Sequence, residues 1–259
     1  MVKGLYTAYT GMLNEQNRMD ILTNNLANAS TVGYKKEGST SQSFNDVLTV
    51  KIKDSSVGLA NAQKIGVRNP GVRIGENYTD YSQGSFRITD NTYDLALSGE
   101  GFFAIEFTNK AGETSTKYTR AGQFTLNKDG YLVTQEGDYV LDTKNQRIKL
   151  NTLIDSAIDS TGTIHQNGQQ VAQIQVTDFA NYDYLEKYGE TYYEPIEGAE
   201  IIASDASIES GCLEMANVQI VSEMVNLISI TRAYESNQKI IQTYDNTLDI
   251  AANQLGKIQ

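Results

Sequence analysis

From Ala216 to Gln259 the chain runs forty-four residues without proline, and its apolar residues return every seventh position at Ile220, Leu227, Tyr234, Ile241, Leu248 and Leu255. A seven-residue apolar repeat drifts slowly around an α-helix and lays down one seam along it. At 1.5 Å per residue the helix approaches 60 Å in length, about twice the diameter of a small domain. Such a seam calls for a partner helix. The companion positions are mixed, with Met224, Ile228, Ile230 and Tyr244 apolar but Thr231, Gln238 and Asp245 polar, so the stripe is weaker than a leucine zipper. One long amphipathic helix packed on its own domain is the competing reading.

The other end of the chain offers the partner. Residues 2 to 29 also lack proline, and Leu5, Met12, Met19 and Leu26 again fall seven apart. Two helices of equal period at opposite ends of 259 residues imply a body inserted between two strands of a coiled coil. Gly4 and Gly11 interrupt the first of them, each costing about 1 kcal/mol of helix propensity.

Charge is unevenly placed. Twelve acids and one base, Lys187, lie between Asn151 and Met215, so that stretch alone carries the whole formal charge of −11. The region before the body is mildly basic, with Lys35, Lys36, Lys51, Lys53, Lys64, Arg68 and Arg73. Nucleic acid is excluded as main partner, because neutralising phosphates needs a clustered excess of Lys and Arg. A basic arm set against an acidic patch on an adjacent copy is the expected use of this asymmetry. The one cysteine, Cys212, rules out an internal disulfide, and no apolar run is long enough for a membrane-spanning helix. The N-terminus lacks the apolar core and cleavage site of a secretory signal.

Between the helices the pattern is β. Residues 93 to 107 (YDLALSGEGFFAIEF) read as strand, tight turn and strand. Residues 118 to 142 continue as a meander turning at Asp129-Gly130 and Glu136-Gly137, and residues 162 to 179 give a hairpin around Asn167-Gly168. Gly99, Gly101 and Ala104 match a dinucleotide-binding spacing, but a strand follows them where a helix N-terminus is needed. Asn127 to Gly130 lacks the further ligands of a calcium loop, and His165, the sole histidine, stands beside a turn. Nothing selects a carboxylate pair for glycoside hydrolysis from the twelve acids. No catalytic, metal or cofactor residue is expected. The organisation expected is α+β: residues 1–32 a helix, 33–75 an extended arm, 76–210 an antiparallel β domain and 211–259 the second helix.

Four blocks in order resemble the bacterial flagellar rod and hook proteins. NNLANASTVGYK from Asn24 resembles the N-terminal signature, with Asn24, Asn25, Asn28, Gly33 and Lys35 in matching places. Residues 80–106 and 118–134 resemble the central blocks, and 213–248 the C-terminal one, with Glu223, Met224, Asn226, Arg232, Ala233, Tyr234 and Asn237 matching. Asp90 and Thr92 stand where Gly and Pro are common, and Thr231 where Gln is usual. The resemblance is nearest to the distal rod type, with the proximal rod paralogue and the hook protein as alternatives. It implies a structural subunit whose terminal helices form the inner tube of a hollow helical polymer, a drive shaft carrying torque to the hook. Partners would be further copies of itself, neighbouring rod and hook proteins and the flagellar export apparatus. There would be no membrane insertion, and the location would be the basal body outside the cytoplasmic membrane, reached without a cleaved signal. Ser222, Ser229, Ser236 and Thr243, two positions past the seam, are the candidate channel face. Outside the family, a secreted cell-wall glycan-acting enzyme or a membrane-surface protein are the competing classes.

Overall fold

The computed structural model describes residues 2–51, 63–110 and 112–253. Their contacts divide the chain into two units: residues 1–26, 37–80 and 220–259, and residues 27–36 with 81–219.

The first unit holds both helices, α1 (Val2–Ala27) and α2 (Ile220–Asn253). Gly4 of α1 lies against Tyr244 of α2, and Gly11 against Asn237. One pair steps forward by seven as the other steps back by seven, so the helices run antiparallel. A methyl group on Gly4 would stand 2.8 Å from Tyr244 Cζ, and one on Gly11 3.1 Å from Asn237 Nδ2. The two glycines that weaken α1 as an isolated helix therefore each lie against a side chain of α2.

Residues 37–80 accompany the helices. Strand β1 (Glu37–Ser43) pairs antiparallel with β4 (Val72–Thr79), and β2 (Val47–Lys51) with β3 (Gln63–Arg68). The pairs are tied to α1 by side chains. Asn14 Nδ2 donates to Ser41 Oγ at 3.0 Å, Arg68 Nη2 to the Lys3 carbonyl at 2.8 Å and Thr7 Oγ1 to the Pro70 carbonyl at 3.3 Å. The stretch expected to be a bare extended arm thus contains two antiparallel pairs docked on a helix.

The second unit is antiparallel β throughout its described pairings. Strands β5 (Phe86–Ile88), β6 (Leu95–Ser98), β7 (Phe102–Thr108), β8 (Thr114–Thr119), β9 (Phe124–Leu126), β10 (Leu132–Thr134) and β11 (Tyr139–Val140) come first. Then follow β12 (Ser156–Ile158), β13 (Thr163–Gln166), β14 (Gln169–Gln173), β15 (Val176–Phe179), β16 (Leu185–Tyr188), β17 (Tyr192–Pro195), β18 (Ile201–Ala203), β19 (Ser207–Ser210) and β20 (Cys212–Glu214). The main sheet runs β16-β17-β8-β7-β11-β10-β9, with β15 and β18 attached beside β7.

Strand β7 is its axis, because its residues are buried on both faces. Phe103 belongs to a core with Leu95, Leu97, Phe124, Leu132, Ile148, Ile164 and Ile208. Phe102 and Ala104 belong to another with Tyr118, Leu141, Phe179, Leu185 and Tyr193. Each buried Phe contributes about 1.5–3 kcal/mol. Tyr81 and Tyr182 pack against this second core. Tyr193 is fully buried, its ring 5.3 Å from Phe102 and 5.5 Å from Tyr81.

The turns expected at Asp129-Gly130, Glu136-Gly137 and Asn167-Gly168 are present, the last with φ of 50° and 76°. The hairpin expected over residues 93–107 is not. Strand β6 pairs with β19, Leu97 opposite Ile208, while β7 pairs with β8. An alternating run looks the same whether its strand turns back on its neighbour or crosses to another sheet. Gly99 and Gly101, at φ of 120° and 136°, allow the crossing, with Ala206 and Ser204 packed directly against them. Asp90 takes the left-handed backbone, φ 57°, that makes Gly common at this place in the resembled family.

Candidate functional site

Two features can carry an assembly role: the surfaces of the helix pair, and the turn that follows α1.

On α2 the inward stripe alternates steps of four and three: Glu223, Leu227, Ile230, Tyr234, Asn237, Ile241 and Tyr244. Glu223 and Ile230 are buried and the rest half-buried. Three of those seven, Leu227, Tyr234 and Ile241, belong to the expected seam. The other row, Glu223, Ile230, Asn237 and Tyr244, alternates polar and apolar residues and was not expected as a row. Ile220 and Leu248 are exposed at 46% and 39%, which removes them from the buried stripe, and Leu255 lies outside the described residues. Met224 and Ile228, expected as companions, are also exposed, because they sit about 100° off the inward face.

On α1, Gly4 and Gly11, each one position before the expected Leu5 and Met12, lie against Tyr244 and Asn237 of α2. Leu5, Met12, Met19 and Leu26 are all half-buried, and Ala8 is buried.

Outward, Tyr6 and Tyr9 on α1 and Val221, Val225 and Ile228 on α2 are exposed at between 48% and 76%. Ser222, Ser229, Ser236 and Thr243 are exposed as well, and form an uncharged row.

The turn after α1 is more tightly built. Asn25 clamps the start of β1, its Nδ2 donating to the Glu37 carbonyl at 2.7 Å and its Oδ1 accepting from Glu37 N at 2.9 Å. In the second unit Asn28 accepts from Thr31 Oγ1 and donates to Glu190 Oε2 at 2.8 Å, while Asn24 is exposed on the last turn of the helix. Gly33, at φ 70°, donates its N–H to the Glu214 carbonyl at 2.8 Å. Lys35 is fully buried. Its Nζ donates to Glu214 Oε1 at 2.7 Å and to the Ser82 carbonyl at 2.9 Å. Gly84 N also donates to Glu214 Oε1, and Arg120 Nη1 stands 3.5 Å from Oε2, an ion pair without hydrogen-bond geometry.

This burial takes Lys35 out of the basic arm expected to meet an acidic patch on an adjacent copy, since its acid partner, Glu214, lies in the same chain. Arg68 and Arg73 are engaged locally too, Arg73 Nη2 donating to Gln42 Oε1 at 2.9 Å. Lys53 lies outside the described residues. Glu214 and Arg120 were missed in the sequence, since no local pattern separates one buried acid from the eleven others in its segment.

Among the described residues there is no cluster of three or more His, Cys, Asp or Glu arranged to hold a metal, and no helix is long and apolar enough to cross a membrane. A cleft of about 490 Å³ is lined by Asn28, Thr31, Arg87, Gln123, Glu190 and Tyr192 among others.

Comparison with known proteins finds matches along three stretches of the chain. The family profile described as flagella basal body rod protein matches residues 5–35, that of the flagellar hook protein FlgE/F/G D1 domain matches 96–172, and that of the flagellar basal body rod FlgEFG protein C-terminal matches 209–255. The flagellar basal-body rod protein FlgG of Bacillus subtilis (strain 168) is 35% identical, covering 98% of this chain and 99% of the relative. This chain belongs to the flagellar basal-body rod protein family. Two other relatives are FlgG of Caulobacter vibrioides, 34% identical over 98% of this chain and 99% of the relative, and the flagellar hook-basal body complex protein FlhO of Bacillus subtilis, 31% identical over the full length of both. The rod family is one of structural proteins, and that membership places the chain outside the enzymes. Within it, the first and last profiles fall on the two helices and the signature turn, and the middle one on strands β6 to β14.

Proposed function

We propose that the protein is a subunit of the distal flagellar rod, polymerising with copies of itself into a hollow shaft that carries torque to the hook. The observation that carries this reading is the match, end to end, with relatives named FlgG. In this reading α1 and α2 pair as a coiled coil and build the inner tube, and the exposed stripe of Val221, Val225 and Ile228 is covered by a neighbouring copy. Contacts that join unlike surfaces and do not close produce a filament of this kind. Ser222, Ser229, Ser236 and Thr243 would border the channel, where hydroxyls neither trap charged segments nor bind apolar ones. The subunit would act in the basal body, outside the cytoplasmic membrane, beside other rod and hook proteins, after passing through the flagellar export apparatus without a cleaved signal. The full-length match to FlhO supports a second reading, a neighbouring paralogue at another level of the same shaft. Electron microscopy of isolated basal bodies carrying an epitope at the Gly189 turn separates the two. Label at the hook-proximal end of the rod is the expected result, label near the membrane end favours the paralogue, and label absent from the rod refutes both.

A further inference from the structure

We infer that strands β19 and β20 are a closing clasp, so that the second unit cannot be completed until the chain through Asn217 is present. The two strands hold segments that come far earlier in sequence. Strand β19 is the pairing partner of β6, and β20 of β5. Ile208 completes the core that contains Leu95 and Leu97, and its N–H donates to the Ser160 carbonyl at 2.8 Å. Val32 bridges to Met215, Gly33 N donates to the Glu214 carbonyl, and Lys36 N donates to Asn217 Oδ1 at 2.7 Å. Asn217 Nδ2 reaches the Ser82 carbonyl and hydroxyl at 3.1 Å, and Met215 N donates to the Ser85 carbonyl. By contrast the ladders that join β7 to β8 and β11, and β8 to β17, are made wholly between residues that precede Ile196.

Charge makes the dependence sharper. Lys35 and Arg120 converge on the two oxygens of one carboxylate, Glu214. Before Glu214 arrives, closing this site would press two cations together out of water, where their repulsion is only weakly screened. Once it arrives, its charge permits both to be buried. A chain made from its N-terminus therefore keeps residues 31–36 and 82–98 open until most of its length exists, with the main sheet already formed.

The test is refolding of the full-length protein with pulsed hydrogen exchange. Amides of β7 and β8 should gain protection first, and those of Phe86–Ile88, Leu95–Ser98 and Ser207–Glu214 together in a later phase. Glu214→Gln should unfold about 100-fold faster, the effect of removing one partner of a buried pair, with protection of β7 and β8 arriving at the wild-type rate. A variant that protects β7 and β8 but never β5 and β6 is the same result in extreme form. The clasp is overturned if wild-type β5 and β6 are protected together with or before β7. It is equally overturned if Glu214→Gln slows or abolishes protection of β7 and β8, or leaves unfolding unchanged.

Discussion

Replacing Gly33 by Ala should remove a large share of the stability of the second unit. A methyl group there would lie 2.5 Å from the Arg120 carbonyl carbon, 2.6 Å from Ala121 Cα and closer still to Ala121 N. Those are backbone atoms, so no side chain can turn away. Carbon atoms in contact normally stand about 3.5–4 Å apart, and the segment must move on the order of 1 Å to relieve the overlap. The movement strains or breaks the Gly33 N–H bond to Glu214 and the Val32–Met215 bridge, at about 1–3 kcal/mol for polar groups left buried without partners. The left-handed backbone costs alanine about 1–2 kcal/mol more. The sum, about 2–5 kcal/mol, corresponds to a fall in Tm of roughly 5–15 °C for a unit of this size. Gly168→Ala is the control. Gly168 has a similar φ, 76°, with no atom near its missing methyl, so only the conformational cost of about 1–2 kcal/mol applies. Thermal scans by near-ultraviolet circular dichroism of the buried tyrosines report this unit. Equal losses in Gly33→Ala and Gly168→Ala would refute the argument that close approach, rather than backbone conformation, makes glycine necessary at position 33.

Ile230→Asp places a carboxylate at a buried position of α2, at a cost of several kcal/mol repeated in every subunit, so it should block polymerisation while leaving the near-ultraviolet spectrum of the second unit intact; rods extended to normal length by this variant would contradict the helix-pair reading. Burial, followed by hydrogen bonding to Asp178, pushes the Tyr182 hydroxyl well above its usual 10.0, and burial also raises Tyr192 despite an opposing hydrogen bond from Thr134. Both hydroxyls are held neutral in the fold, so the stability they contribute is complete below about pH 10 and is lost as pH rises further; Tyr182→Phe should flatten that alkaline loss in denaturant titrations, and an unchanged slope would oppose it. Leu at Ser222, Ser229, Ser236 and Thr243 together should leave the rod built yet slow export of later subunits, measured as secreted hook protein; normal export would remove the channel assignment. Polymers should loosen as salt rises if basic residues of 37–73 meet the acidic segment of an adjacent copy, since exposed charges are screened within about 8–10 Å, and salt-independent polymers would count against that contact.

The sequence by itself settled what local chemistry controls. Long proline-free apolar repeats gave two helices, alternation and Asn-Gly or Asp-Gly pairs gave strands and their tight turns, and four ordered blocks gave the family. Those signals are local, because a helix period or a two-residue turn is set within about ten residues. What needed the tertiary structure was everything decided between residues far apart. The seven-residue row in α1 marked a helix, but it could not show that Gly4 and Gly11 lie against Tyr244 and Asn237 of α2, since a glycine leaves no apolar mark. The alternation of Leu95 and Leu97 could not reveal that their partners lie more than a hundred residues on, at Ile208 and its neighbours. Lys35 read as a surface charge, and Glu214 as one acid among twelve. Only folding brings them within 2.7 Å and removes both from water, because desolvation is a property of the finished core and not of any stretch of chain.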